Sequence, residues 1–154
     1  MGDYLKGIRK LIGHQPIIVP HSLVVLFNDE DEVLLIERTD DGYFDFPGGG
    51  IDLAETSDFA AKRELFEETG IIADEITLFK VYTGEITHYV YANGDEIYGT
   101  DFVYICNKWH GELKGQIEEV KSLGFYPTYS LPDRISKRNR LILNEVLKVY
   151  AVHK

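Results

Sequence analysis

The sequence predicts a layered α/β or α+β sandwich, and three observations carry that class. Aliphatic, β-branched runs of strand length are interspersed with stretches of helical spacing, the pattern of helices packed on a sheet rather than of a bundle or a barrel. The length of 154 residues suits one core, with no room for a second full domain. Apolar residues make up 44% of the chain, including 8 Phe and 10 Tyr, which is bulk enough to fill that core and too much for a disordered chain. There is no internal repeat, low-complexity tract or linker.

Near the start, "DYLKGIRKLIG" places Tyr4, Leu5, Ile8, Leu11 and Ile12 at helical spacing, with Gly13 as the stop. "PIIVPHSLVVLF" and "EVLLIER" follow as two strand-like runs separated by the turn-rich "NDED", a hairpin pattern. That acidic turn lacks the alternating oxygen ligands, central glycine and terminal glutamate of a calcium loop, so it reads as a solvated turn. After a glycine-rich segment, a helix is expected from about Ser57 to Thr69. Thr56 or Ser57 caps its start, Asp58 complements its positive end, and Gly70 supplies a left-handed stop. "ITLFKVYTGE", "THYVYA" and "IYGTDFVYICNKW" read as strands, and "ANGD" between the last two is a hairpin turn, because Asn93-Gly94 tolerates positive φ. "EEVKSLGFY" adds a strand. Arg134 to Tyr150 closes the chain as a helix with Ile135, Leu141, Ile142, Val146 and Val149 apolar.

With 26 acidic against 16 basic residues the formal net charge is -10, which repels polyanions and offers no footprint for duplex nucleic acid. A small anionic ligand needs a local cationic site. The single Cys106 cannot form an internal disulfide, and no window is long or apolar enough for a membrane span or a signal sequence. A reducing, cytoplasmic setting is expected.

The segment "PGGGIDLAETSDFAAKRELFEETGI" crowds Glu64, Glu67 and Glu68 into one helix with almost nothing nearby to neutralise them. At ~100° per residue the three fall within about a third of the circumference. Charged residues at such spacing are most often a solvated face. Two features count against that: Glu64 and Glu68 are like charges four apart, costing ~0.2–0.5 kcal/mol, and all three sit in the second half of the helix, where the macrodipole disfavours anions. Both penalties vanish if a cation binds. Hard divalent ions prefer oxygen ligands and bridge carboxylates to substrate phosphates. "PGGG" is neither a P-loop nor a dinucleotide fingerprint, but a tight glycine turn can bring a backbone carbonyl close to such an ion.

Gly49, five residues, Glu55, seven residues and then "RELFEETGI" match the Nudix box in full, and the chain resembles the Nudix hydrolase family. "EVLLIERT" is similar to the family's strand ending in Arg, and "LGFYPTYSLP" to its late strand and Leu-Pro turn before a terminal helix. The resemblance implies a Nudix-type α/β/α sandwich with a mixed β-sheet, one domain over 1–154 with a short N-terminal helical extension. It implies that Glu64, Glu67 and Glu68 ligate Mg²⁺ or Mn²⁺, that the Gly48 carbonyl joins them, that Arg63 and Glu55 pair to orient the loop against the helix, and that Leu65 and Ile71 anchor the core. The implied activity is hydrolysis of a nucleoside diphosphate linked to another group, by attack of water on phosphorus. The small-molecule nucleotide is the implied partner.

The general base is expected to be one of the box glutamates or an acid on a later loop, where Glu119 is the candidate and Glu118 the competitor, unless the two are a surface pair; where many relatives have a second acid this chain has Ser122. Arg38 is a candidate for a substrate phosphate, or else a surface residue paired with Glu37 or Asp40. Tyr82, Tyr89, Tyr98 and Phe102 are candidates to stack on a base, or sheet residues. His88, beside Tyr89 on a strand, is placed to approach a ligand or else is structural, and His14, His21, His110 and His153 show no metal-ligand spacing. A sensor that binds nucleotide without cutting it is the alternative function, and the N-terminal helix and exposed strands are compatible with a homodimer.

Overall fold

The computed structural model describes residues 2–114 and 118–150; His153 lies outside them. Strand β1 (Ile17–Leu26) organises the fold. Its "LVVL" stretch is buried on both faces: Leu23 and Val25 join one hydrophobic cluster, Val24 and Leu26 the other. A strand covered on both sides needs a continuous apolar run, not an alternating one. Helix α2 (Ser57–Thr69) covers the second cluster with Ala61 and Leu65. Helix α3 (Lys137–Tyr150) covers the first with Ile142, Leu143 and Val146. Each fully buried side chain of Val or Leu size contributes roughly 1.5–3 kcal/mol, so these two clusters hold helix, sheet and helix together as the expected sandwich.

The sheet is mixed. β1 pairs antiparallel with β4 (Gly48–Gly50) and parallel with β7 (Glu96–His110), in register from Ile17 opposite Ile97 to Leu26 opposite Cys106. β7 continues antiparallel to β5 (Ile72–Tyr82) and, near its start, to β6 (His88–Val90). Pro20 is tolerated in the central strand because its carbonyl, which accepts the Ile51 N–H at 3.1 Å, places its N–H-less nitrogen on the β4 side, before that pairing begins. The β6–β7 turn forms as expected around Asn93-Gly94, with only Gly94 at positive φ (90°).

The expected β1–β2 hairpin does not form. β2 (Glu32–Arg38) belongs to a separate three-stranded sheet, between β3 (Phe44–Asp45) and β8 (Val120–Pro127). Only Phe27 and Val33 bridge the two runs. The physical reason is the turn: Asn28 Oδ1 accepts the N–H groups of Glu30 and Glu32, and Asp31 takes a φ of 61°, so the chain wraps around one side chain and β2 leaves in a new direction.

The expected α2 boundaries agree with the structure, and Gly70 ends the helix at φ 77° with its N–H on the Phe66 carbonyl. Its cap differs. The Thr56 hydroxyl bonds the Asp58 carboxylate and holds that acid below its usual range, while Ser57 Oγ meets Tyr104 Oη. α3 starts at Lys137 rather than Arg134, and Leu143 replaces Leu141 on its inward face. α1 (Asp3–Ile12) buries none of its residues. Among the described residues no helix is long and apolar enough to cross a membrane.

Candidate active site

The last turns of α2 meet the glycine bend of β4. Glu68 accepts the Gly48 backbone N–H at 2.9 Å and is itself 6% exposed. Gly48 is closed in by β1 and Gly49 by α2. A Cβ on Gly48 would strike the Ser22 carbonyl, and one on Gly49 would sit 2.6 Å from the Glu64 carboxyl carbon.

Arg63 occupies the centre of the acids. Its Nε and Nη2 grip Glu55 at 2.5 and 3.0 Å, Nη2 reaches the Gly50 carbonyl at 3.2 Å, and Nη1 donates to Glu64 at 2.9 Å and Glu67 at 3.2 Å. The expectation that nothing nearby neutralises the acids is therefore corrected for two of them. One residue before Glu64 and four before Glu67, a long guanidinium side chain curls over both. Among the described residues no three acidic, histidine or cysteine side chains already converge on one point as a ligand set. Glu64 and Glu67 are turned to the guanidinium, and Glu68 to the glycine bend.

The electrostatics single out Glu68. Burial pushes its carboxyl well above the usual range; the Gly48 N–H opposes this, and the charges of Glu64, Asp45 and Glu119 add to it. Glu64 is raised for the same first reason, with Arg63 pulling down and Glu67 and Glu119 pushing up. Glu55 is lowered, chiefly by its bond to Arg63. A crowd of hard oxygen donors whose ionised forms repel one another fits a divalent cation of the Mg²⁺ type better than any soft metal.

Glu119 is exposed at the head of β8. Its backbone carbonyl receives the Thr39 N–H at 3.3 Å, and its carboxylate lines the same cleft as the box acids. The Glu118 side chain does not line that cleft. Arg38 also lines it, bonded to Asp40 through Nε (3.0 Å) and Nη2 (2.5 Å). Burial works against its charge, but Asp40 and Asp45 outweigh burial and keep it protonated. Glu37 pairs with Lys121 and Ser122 instead.

The cleft encloses about 1100 Å³. Of the candidate aromatics only Tyr89 lines it, bonded to Asp41 and with the Arg38 guanidinium 5.2 Å above its ring. Tyr82 belongs to the core, and Tyr98 stacks on His88 at 4.7 Å.

Several lining residues escaped the sequence reasoning: Tyr91, His21, Asp45, Arg138 and Asn139. On the cleft floor Arg138 joins Asp45 and Asp101 at 3.0 Å each, His21 Nδ1 lies 3.1 Å from the fully buried Asp101, and Asn139 donates to Asp45 at 2.8 Å. One signal was available: Asn139 stands on the stripe of Ile142, Leu143 and Val146, a polar residue at a core position. Cys106 is buried, which pushes its thiol up to about 11 and leaves it inert.

Comparison with known proteins identifies the family and the fold. The NUDIX domain family model matches residues 19–146. An 8-oxo-dGTP diphosphatase of Haemophilus influenzae is 31% identical over 103 residues, covering 64% of this chain and 70% of that protein. One of Escherichia coli is 28% identical, covering 60% and 68%. Other matches are partial: a 49-residue stretch spans 32% of this chain and 33% of a Bacillus subtilis relative, and a 100-residue stretch spans 65% of this chain and 39% of a Mycobacterium tuberculosis one. Among solved structures, a MutT NUDIX hydrolase from Burkholderia pseudomallei superposes with a TM-score of 0.70 at 28% identity, covering 86% of this chain and 98% of that one. The Escherichia coli ORF135 protein shares the fold at 21% identity and a TM-score of 0.67. The chain belongs to the NUDIX domain family of hydrolases.

Proposed function

We propose that the chain is a divalent-metal-dependent hydrolase that breaks a phosphoanhydride bond in a small nucleoside polyphosphate or nucleoside diphosphate derivative. The observation that carries this is Glu68: a carboxylate buried among other acids at the head of a nucleotide-sized cleft, its charge opposed by its surroundings. A structural acid would be paired with a cation; this one is paired with a single backbone N–H. The relatives that cleave 8-oxo-dGTP make an oxidised purine nucleoside triphosphate the first substrate to try.

Glu64, Glu67 and Glu68, with the Gly48 carbonyl, are the groups to hold Mg²⁺ or Mn²⁺. When bound, the ion supplies positive charge against the phosphate oxygens and makes water more acidic. The protein's own groups do the rest. Glu119 takes the proton of the attacking water, the new bond forms to phosphorus, and the anhydride oxygen leaves with the bonding pair. Arg38, released from Asp40, offers a fork of donors to a phosphate not being cut. Arg63 and Glu55 keep the glycine bend and α2 in one relative position.

The test is turnover with and without Mg²⁺ on a panel of 8-oxo-dGTP, ordinary nucleoside triphosphates, ADP-ribose, nucleotide sugars, dinucleoside polyphosphates and triphosphorylated RNA. At least one should be cleaved only with metal, and Glu67→Gln or Glu68→Gln should lower kcat by about 10²-fold or more with the fold retained. Full turnover in both variants overturns the assignment.

A further inference from the structure

α1 is explained neither by the core, to which it gives no buried residue, nor by the family match, which starts at residue 19. Yet Gly2, Leu5 and Arg9, one turn apart on one side of the helix, all line the cleft. Val19 and His21 from β1 and Ile97 from β7 line it as well.

α1 meets the rim of the cleft at both ends and is bonded to it at one. At the first, Gly2 lies against the Asp52 carboxylate, the end of a side chain that is 53% exposed. Asp52 lies in the loop that leads from the glycine bend into α2, 3.7 Å from Arg63. At the second, Arg9 binds three backbone carbonyls: Gly13 at 3.1 Å and Gln15 at 2.6 Å, which close the helix end, and Glu96 at 2.8 Å across in β7. Arg9 Nε and His14 Nδ1 both approach Asp95 Oδ1, at 3.7 and 2.7 Å. The Arg9 side chain is only 9% exposed and its Nε has no hydrogen-bond partner. Burying a guanidinium this way is costly. A surface charge would be solvated; this one is spent on holding α1 to the β6–β7 turn.

We propose that α1 is a specificity-determining wall of the substrate cleft: Leu5 packs on the non-phosphate group of the substrate, and the helix, fastened by Arg9, admits a single nucleoside and turns away a continuing nucleotide chain. This rests on the phosphohydrolase reading, which places the phosphates at the acids. The group attached to them then extends along the cleft over the buried floor residues Val19 and Ile97, which are 2% and 7% exposed. Leu5 covers that group from the helix side. With α1 held by Arg9, a polynucleotide passes only by breaking the Arg9 bonds.

The experiment compares Leu5→Ala, Leu5→Met, Arg9→Met and the control Leu11→Ala, whose side chain is 84% exposed and off the cleft. Steady-state kinetics are run with a nucleoside triphosphate and with a 5′-triphosphorylated dinucleotide. Binding of the nucleoside monophosphate is followed by calorimetry, which needs no turnover.

Leu5→Ala should raise KM and the monophosphate Kd by about 5- to 30-fold with kcat within about twofold, the loss expected for a few methylene groups. Leu5→Met should restore both, and Leu11→Ala should change neither. Arg9→Met should narrow the preference for one nucleotide over two by about fivefold or more. If Leu5→Ala moves only the Tm, leaving KM and Kd where they were, the wall is structural and the proposal falls, however Arg9→Met behaves. A wild type that binds monophosphate but never turns over removes the hydrolase and still reads the wall through Kd. A wild type that binds no nucleotide removes both.

Discussion

Arg63 grips Glu55 with two parallel hydrogen bonds, 2.5 and 3.0 Å long, and spends its remaining nitrogen on Glu64 and Glu67. One planar fork thus serves the loop before α2 and the acids on α2 together. A lysine has a single nitrogen and cannot make these contacts at once. If Glu64 and Glu67 hold the proposed ion, Arg63→Lys should lower kcat/KM by about 10- to 100-fold, the usual cost of removing a support behind such a ligand. Steady-state kinetics at saturating Mg²⁺ check this, and a variant with wild-type kcat/KM would show that the fork has no part in positioning the acids.

The glycine bend makes a sharper demand. A methyl group at Gly49 would lie 2.6 Å from the Glu64 carboxyl carbon, whereas one at Gly50, the next residue, meets nothing within 4 Å. Gly49→Ala should therefore displace the Glu64 carboxylate and cut kcat by at least about tenfold, with stability little changed because the atoms it meets are the end of a flexible side chain. Gly50→Ala should leave both unchanged within about 0.5 kcal/mol and twofold in rate. Equal effects at the two positions would contradict the close approach.

Glu68 gives a pH signature. Its carboxyl is raised in the folded protein by burial first, then by neighbouring acids. The folded state thus holds this proton more tightly than the unfolded state. The contribution to stability is full below the ordinary carboxylate value near 4.5 and is lost as pH rises through the raised folded value. Glu68→Gln keeps an oxygen for the Gly48 N–H and removes the charge. In chelator at pH 7–8 it should be the more stable protein, with Tm higher by about 2–4 °C for each kcal/mol relieved. The gap should shrink towards pH 4. Added Mg²⁺ should raise the wild-type Tm more than that of the variant. A less stable variant at pH 8 without metal would mean that the surroundings do not oppose the charge.

Legibility in the sequence followed the range of the interactions. α2 was readable to its boundaries because the start signals and the Gly70 stop act within a few residues, and Leu65 and Ile71, core anchors by the family resemblance, are at 0% and 1% exposure. The β1–β2 hairpin was misread because adjacency in sequence implies pairing, whereas the Asn28 wrap sends β2 into another sheet. Arg38 stood between a substrate phosphate and Glu37 or Asp40; Asp40 holds it, since Glu37 is taken by Lys121 and Ser122, which come from a strand about 85 positions away in sequence. The same applies to Arg9 and Glu96, and to Arg138 with Asp101: no local pattern marks them, and only the fold brings them together.

Glu119 and Glu118 are adjacent acids that the structure treats differently. Both backbone carbonyls take a bond from Thr39, so the pair is held to the end of β2. Only the Glu119 carboxylate lines the cleft, close enough for its charge to raise both Glu64 and Glu68. If Glu119 receives the proton of the attacking water, Glu119→Gln should lower kcat by about 10²- to 10⁴-fold and remove the acidic limb of the pH–rate profile, with KM and Tm little changed. Glu118→Gln should keep the wild-type rate and profile. A Glu119→Gln variant that retains its acidic limb would shift the base to one of the box glutamates, because a limb that survives must titrate on a group still present.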